Sequence, residues 1–536
     1  MSAVVSVSLL AGCGSSTTPS GGTTPSASPS AQSSASASPE SISEVTYPLT
    51  DKTITLSAWW PKVSILKYYN TAADTPFFQE MEKITNVKIE FIHPASGQEQ
   101  ENFNIMVSSG DLPDLILGVE TYYKGGGDAA VDSGIIVKLN ELLEQYGPNY
   151  SKARLETPDI SKQTVTDSGN MVAMHRIYKM PEEGAWYGPA VRKDLLDKVG
   201  LSTPVTYDDW YTMLKAFKEI GVKNPLAITK QGLPALNTFV GGFGISGSGV
   251  TNISFFQVDG VVKCNVLETG YREYITMMSQ WYAEGLIDKD FLTNSSFNDQ
   301  ISRASKDSGS FMVPQAFFPL LKANSEEEGF NVVAVPNPVK NVGDKVHLRQ
   351  SNFTTSPNVA LSISTACKYP EIAVKYFDYL YSEEGNMLAN YGIEGETYTM
   401  VDGKYQYTDL ALNNPQGMTL VELLECYALG SGPYICDWSR TYVTNSQEQN
   451  DAMGIWDQAD NDYVMPPITM TTEEGSAYAS IIGDADTYVQ EMTVKYIMGV
   501  EPLSTYDNFI SKLKSMNVEE AIKLQQAALD RYNSRK

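Results

Sequence analysis

The groups able to move protons, attack carbonyls or hold metals are few and scattered in this 536-residue chain: three histidines, His93, His175 and His347, and five cysteines. No histidine lies in the Ser, Cys or Glu pattern of a nucleophilic triad or an HExxH zinc site. Cys264, Cys367, Cys426 and Cys436 form no CxxC pair, and they are too few for a disulfide scaffold. Cys426 and Cys436 either pair across a short loop or are buried thiols. Asp457, Asp460 and Asp462 have the alternation of a calcium loop but lack its glycine and terminal glutamate, so they read as a solvated acidic loop. No catalysis, metal or cofactor is expected. A glycosidase carboxylate pair is defined by a separation of roughly 5 to 9.5 Å in space, which sequence does not display.

The charge balance excludes other partners. With 64 Asp+Glu against 39 Lys+Arg the formal charge is −25, and no Lys/Arg run offsets it locally. Such a surface repels phosphate backbones, so nucleic-acid binding is not expected. Beyond the extreme N-terminus no stretch has the roughly 18 to 20 apolar residues that span a bilayer.

The elements that must position any site read as α/β. Residues 54–60 (ITLSAWW) form a strand, Thr75 and Pro76 begin a helix with a cap and an N1 proline, and Val87, Ile89 and Phe91 alternate as a second strand. A helix over 98–109 ends at Gly110, and 112–117 is a third, continuously apolar strand. Strands joined by helical crossovers imply a parallel sheet with ligands at its carboxyl ends, here Trp59, Trp60 and the segment 118–123. A second unit starts near residue 186: a strand at 188–191, a helix from Arg192 to Val199, a helix capped by Thr206 with Trp210 on its apolar face, and a strand at 225–228. The glycines of 241–249 fit no dinucleotide or phosphate-loop fingerprint and read as a mobile loop.

The N-terminus reads as an address. A short apolar run, 3–12, leads into Leu10, Ala11, Gly12 and Cys13, which resemble the lipobox of bacterial lipoproteins, with Cys13 the residue that would carry the lipid. The run lacks the basic residues that open such signals, as expected if the signal begins upstream of Met1. Residues 14–44 are almost wholly Ser, Thr, Ala, Gly and Pro, a tether with a root-mean-square span of about 30 Å.

Longer phrases carry a further resemblance. NVKIEFIHPASGQEQENFNIMVSSGDLPDLILG, VRKDLLDKVGLSTPVTYDDWYTMLKAFKEIGVKNPLAIT, WYAEGLIDKDFLT, SGSFMVPQAFFPLL and SPNVALSISTACKYPEIAVKYFDYLYSEEGNMLANYG are similar, in order and spacing, to the lipoprotein solute-binding proteins of carbohydrate ABC importers. The resemblance covers most of residues 45–392. It implies a type II binding-protein fold, two α/β lobes joined by a multi-strand hinge with a sugar in the cleft. The expected lobes are 45–188 with 331–383, and 189–330 with 384–536, with crossings near 188–192, 330–336 and 379–385. It also implies a monomer without enzymatic activity, lipid-anchored through Cys13 on the outer face of a bacterial membrane, Gram-positive by expectation, that passes an oligosaccharide to ABC permease subunits. An anchored glycoside hydrolase and a carbohydrate-binding adhesin are the alternatives.

Sugars present apolar C–H faces and polar hydroxyls, so their clefts need aromatic platforms beside charged or amide groups. The expected contacts are Trp59 or Trp60 at the end of the first strand, and Glu120, Tyr122 and Tyr123 after the third. Trp186 and Arg192 would flank the first crossing, Phe317 and Phe318 follow a short strand at 310–313, and Trp438 sits in a Gly/Pro-rich loop. Trp210 and Trp281, on amphipathic helical faces, are assigned to the core.

Overall fold

The computed structural model describes residues 45–61, 64–178, 185–228, 239–247, 252–293, 297–349 and 354–535. Cys13 and the tether lie outside the described residues.

Fourteen strands are described: β1 (Ile54–Trp59), β2 (Val87–Ile92), β3 (Leu115–Leu117), β4 (Met174–Tyr178), β5 (Tyr187–Arg192), β6 (Asn224–Leu226), β7 (Phe255–Val258), β8 (Val261–Cys264), β9 (Ser308–Pro314), β10 (Val332–Ala334), β11 (Thr355–Ile363), β12 (Tyr398–Val401), β13 (Lys404–Tyr407) and β14 (Ile435–Cys436). Six form one sheet in the order β14-β4-β11-β3-β1-β2, and four form a second in the order β10-β5-β9-β6. In the first sheet β1 runs parallel to β2 and β3, as its helical crossovers require, and β4 runs parallel to β14. β11 lies antiparallel between β3 and β4, so β1, β3, β4 and β14 all end at the same edge of the sheet.

Local chemistry accounts for the connections. The Thr75 hydroxyl accepts from the Phe78 amide with Pro76 in the first turn, and the helix Pro76–Thr85 ends at Asn86 in the left-handed region (φ 56°), releasing the chain into β2. The helix Tyr207–Glu219 opens with a reciprocal capping box between Thr206 and Asp209. Its Trp210, Met213, Leu214 and Phe217 are all buried in the core beneath the second sheet, where Trp281 lies as well.

The chain passes between the sheets from β4 to β5 and from β10 to β11, and a third time after β14, where the helix Gln447–Trp456 packs against β5 and β10. This corrects the expected crossing near 379–385. Leu388, Ala389, Cys426, Leu429 and Tyr434 belong to the core of the first sheet, so the segment 384–436 stays with that lobe. Cys426 and Cys436 are both buried free thiols, which answers the question of their pairing.

Asp378 shows how that core is tied together. Its carboxylate is fully buried and accepts from Tyr150 N (2.8 Å), Asn149 Nδ2 (2.8 Å) and Asn149 N (3.3 Å), capping the helix Pro148–Arg154 across the core. Burial lifts its pKa to about 6, outweighing those hydrogen bonds, against 3.8 for the free side chain. The folded state therefore binds this proton more tightly than the unfolded chain. The group's contribution is fully present below pH 3.8 and is lost as pH rises through 6. Asp378→Asn removes that penalty while keeping one acceptor oxygen. Relative to wild type, its stability in urea unfolding should improve by on the order of 1 to 3 kcal/mol between pH 4 and 7. A difference independent of pH would show that the carboxyl does not titrate in this window.

Candidate functional site

The edge at which β1, β3, β4 and β14 end carries the candidate site. At the end of β3 the chain turns at Gly118 (φ 82°), where a Cβ would come within 2.9 Å of the Asn358 carbonyl, and enters the short helix Val119–Tyr122. That turn sets Glu120 over the sheet edge. His175, in β4 and 1% exposed, meets Glu120 Oε2 through Nε2 at 2.8 Å, and its Nδ1 lies 3.0 Å from the hydroxyl of the buried Tyr150. A carboxylate only accepts, so Nε2 carries the proton and holds Glu120 in one orientation. Burial raises the Tyr150 hydroxyl pKa and keeps it neutral.

Two adjoining hollows, about 310 and 390 Å³, open beside Glu120 and share Gly125, Gly126, Thr469, Met470 and Arg535. One wall comes from the first lobe: Tyr123, Gln163, Asp167 and Thr355. The other comes from residues 467–472 and from Arg531 and Arg535 at the end of the helix Val518–Ser534. That helix and Thr472–Ile497 contribute Val518, Ala485 and Val489 to the core of the second sheet, so the hollows lie between the two lobes. The backbone at Gly125 (φ 91°) approaches Thr472 so closely that a Cβ would lie 2.6 Å from its hydroxyl.

An ion-pair network closes one end. Asp167 receives Arg531 Nε at 2.9 Å and Arg535 Nε at 2.7 Å, and Arg531 also donates to Glu474 Oε1 at 2.8 Å. Arg535 completes its set at Thr469 Oγ1 and the Lys162 carbonyl, both 3.1 Å away. Hydrogen bonds from Arg531 hold the Glu474 pKa below its ordinary value.

The expected contacts divide clearly. Glu120 and Tyr123 line the hollows. Trp186 is 40% exposed where the chain enters β5, edge-on to Tyr187. Trp438, just after β14, is half-buried and stacked on Tyr178 at 5.6 Å. Phe317 is half-buried against the outer core of the second sheet, and Tyr122 leans on Trp59 and Phe103.

Four expectations are corrected. Trp59 and Trp60 are 2% and 1% exposed. They do point to opposite faces of β1, but helices cover both faces: Trp59 packs on Phe103, and Trp60 on Phe78, Phe91 and Phe377. Arg192 is buried at the far end of β5, its guanidinium 4.3 Å over Phe330 and paired with Asp194 and Glu327. Phe318 is buried against Trp456. Asp167, Arg531 and Arg535 were not read from sequence; the i, i+4 spacing of the two arginines was visible, but not what they face.

Among the described residues, one group converges tightly enough to hold a metal ion: His347, Asp460 and Asp462, whose donor atoms lie within 4.8 Å of one another. Asp460 serves there as the hydrogen-bond partner of His347 Nδ1 at 3.0 Å. Asp457, the third residue of the acidic loop, is taken by Arg349 and the Ala185 amide.

The profile of the family described as bacterial extracellular solute-binding protein matches residues 62–387. The chain is 23% identical over 495 residues to the fructooligosaccharide ABC transporter substrate-binding protein FusA of Streptococcus pneumoniae, covering 85% of this chain and 87% of that one. An HMO-binding ABC-transporter-associated solute-binding protein from Bifidobacterium longum infantis shares the fold at TM-score 0.72 and 21% identity, covering 91% of this chain and all of its own. The alginate-binding protein AlgQ2 superposes at TM-score 0.67 and 25% identity, over 90% of this chain and 99% of its own.

Proposed function

Since the chain belongs to the bacterial extracellular solute-binding protein family, whose members bind and do not transform their ligands, we propose that it captures an oligosaccharide between its lobes and delivers it to an ABC permease. The observation that carries this reading is the inter-lobe hollow at the carboxyl edge of the first sheet, lined by hydroxyl, amide and carboxylate groups around a fixed Glu120. Such a lining suits a ligand rich in hydroxyl groups, each able to donate and accept. Glu120 and Tyr123 would meet the sugar, with Trp186 and Trp438 as aromatic platforms on the approach from the crossings. The lobes would be 45–178 with 355–436, and 187–334 with 447–535. Lipid on Cys13 and the 14–44 tether would hold the receptor, acting as a monomer, at the outer membrane face within reach of its permease.

Closure supplies the signal in this mechanism. A ligand that touches both walls binds the closed arrangement better, and that difference in affinity is what shifts the equilibrium. Titrating the purified protein with fructo-, galacto-, xylo- and manno-oligosaccharides should give saturable heat for at least one series and a blue shift in Trp186 emission. Small-angle scattering at saturation should show a smaller radius of gyration. Binding with unchanged scattering would refute closure, and appearance of shorter products would refute a purely binding role.

A further inference from the structure

The charged groups of the cleft bear on which oligosaccharides it accepts, an inference that rests on the reading above. Four carboxylates, Glu120, Asp128, Asp132 and Asp167, line the larger hollow; Asp167 is paired with the two guanidinium groups there, Arg531 and Arg535, which leaves the other three carboxylates to set the charge a ligand meets. Both arginines are spent on the protein itself. The side chain of Arg535 is 4% exposed, and its three donor nitrogens are given to Asp167, Lys162 O and Thr469 Oγ1. Arg531 divides its donors between Asp167, Glu474 and the Thr469 carbonyl. Neither presents the free two-pronged fork with which arginine recognises a carboxylate. No lysine lines either hollow among the described residues.

Glu120 adds selection by hydrogen bonding. With Oε2 held by His175, it faces the hollow as a fixed acceptor and calls for a donor on the ligand. A sugar hydroxyl supplies one. A uronate carboxylate in the same place is itself an acceptor and carries the same charge, so it meets repulsion where a hydroxyl meets a bond. We infer that the cleft takes uncharged oligosaccharides and turns away those bearing carboxylates, with Glu120 as the selecting residue and His175 and Tyr150 as the residues that position it.

The test compares neutral oligosaccharides of two to five units with galacturonate and alginate oligomers of the same lengths, by calorimetry on the wild-type protein in 50 mM and 300 mM NaCl. The best neutral series should bind at least a hundredfold more tightly than either uronate series, and the gap should narrow at the higher salt as the repulsion is screened. Glu120→Gln, with its fold checked by circular dichroism, should lose about tenfold in affinity for the neutral ligand and show a smaller neutral-to-uronate ratio, because its amide can donate to a carboxylate. Uronate oligomers binding as tightly as neutral ones would overturn the inference and leave the oligosaccharide reading intact. Failure of folded protein to bind any member of either set would overturn the reading itself.

Discussion

Gly188→Val should destabilise the protein by about 3 kcal/mol or more, with no direct effect on a ligand contact. Gly188 lies inside β5, and a Cβ there would sit 2.4 Å from three atoms of the Trp456 indole. Trp456 cannot step aside. It is fully buried, packs edge-on against Phe318 at 6.2 Å, and donates from Nε1 to the Pro189 carbonyl at 3.1 Å. Accommodating a branched side chain means overpacking, which typically costs 1 to 3 kcal/mol, and also pulling the indole off its acceptor, which leaves the buried Nε1 donor unpaired at a similar cost, while the Pro189 carbonyl keeps the Val335 amide. Urea unfolding reads the loss. Pairing Gly188→Ala with Trp456→Leu separates the causes: the double variant should be more stable than the sum of the singles, because the smaller side chain vacates the space the new Cβ needs. A Gly188→Val protein as stable as wild type would mean that Trp456 does not close over β5. From sequence this glycine stands at an expected crossing between the lobes. The structure shows why no larger residue fits there: a tryptophan from the third crossing packs against the strand.

That difference marks how far local signals reach. Thr75 with Pro76, and Thr206 with Asp209, announce their helices because a cap is decided within four residues. The alternation of Trp59 and Trp60 was legible for the same reason, and it holds. Whether either ring meets solvent is decided by what covers each face of the sheet, and the covering residues Phe103 and Phe377 lie far along the chain. β14 spans only Ile435–Cys436, too short for a period of two to register, yet its pairing with β4 keeps residues 384–436 in the first lobe. The candidate site was half legible. Glu120 and Tyr123 follow from the rule that ligands gather at the carboxyl ends of parallel strands. The partners that complete the cleft were not, since Asp167 and Arg531 stand 364 residues apart and no local pattern joins them.

The Asp167 network should be costly to break, because it joins two chain-distant segments around a buried guanidinium. Asp167→Ala removes the acceptor shared by Arg531 and Arg535 and leaves Arg535, 4% exposed, without its counter-charge. Breaking a buried pair from one side usually costs 3 to 5 kcal/mol. Asp167 and Arg531 retain some exposure, at 18% and 30%, and Arg531 keeps Glu474, so a loss of about 2 to 4 kcal/mol is expected here. The exposed pair Lys193 with Asp197 provides the contrast: Asp197→Ala should cost no more than about 1 kcal/mol. Salt should also separate the two pairs. Raising NaCl to 1 M should erase most of the Asp197 effect, because solvent reaches both partners, and spare most of the Asp167 effect, because Arg535 is shielded. The cost would extend to function. Asp167 belongs to the first lobe, Arg531 to the last helix of the second and Arg535 to the residue that caps it, so the network favours the arrangement in which the hollows have two walls. Asp167→Asn keeps the side-chain shape and removes the charge, so it should weaken oligosaccharide binding at temperatures where the variant is still folded. An Asp167→Ala protein as mildly affected as Asp197→Ala would show that the last helix is held against the first lobe by its apolar packing alone, and that the arginines contribute nothing to keeping the cleft assembled.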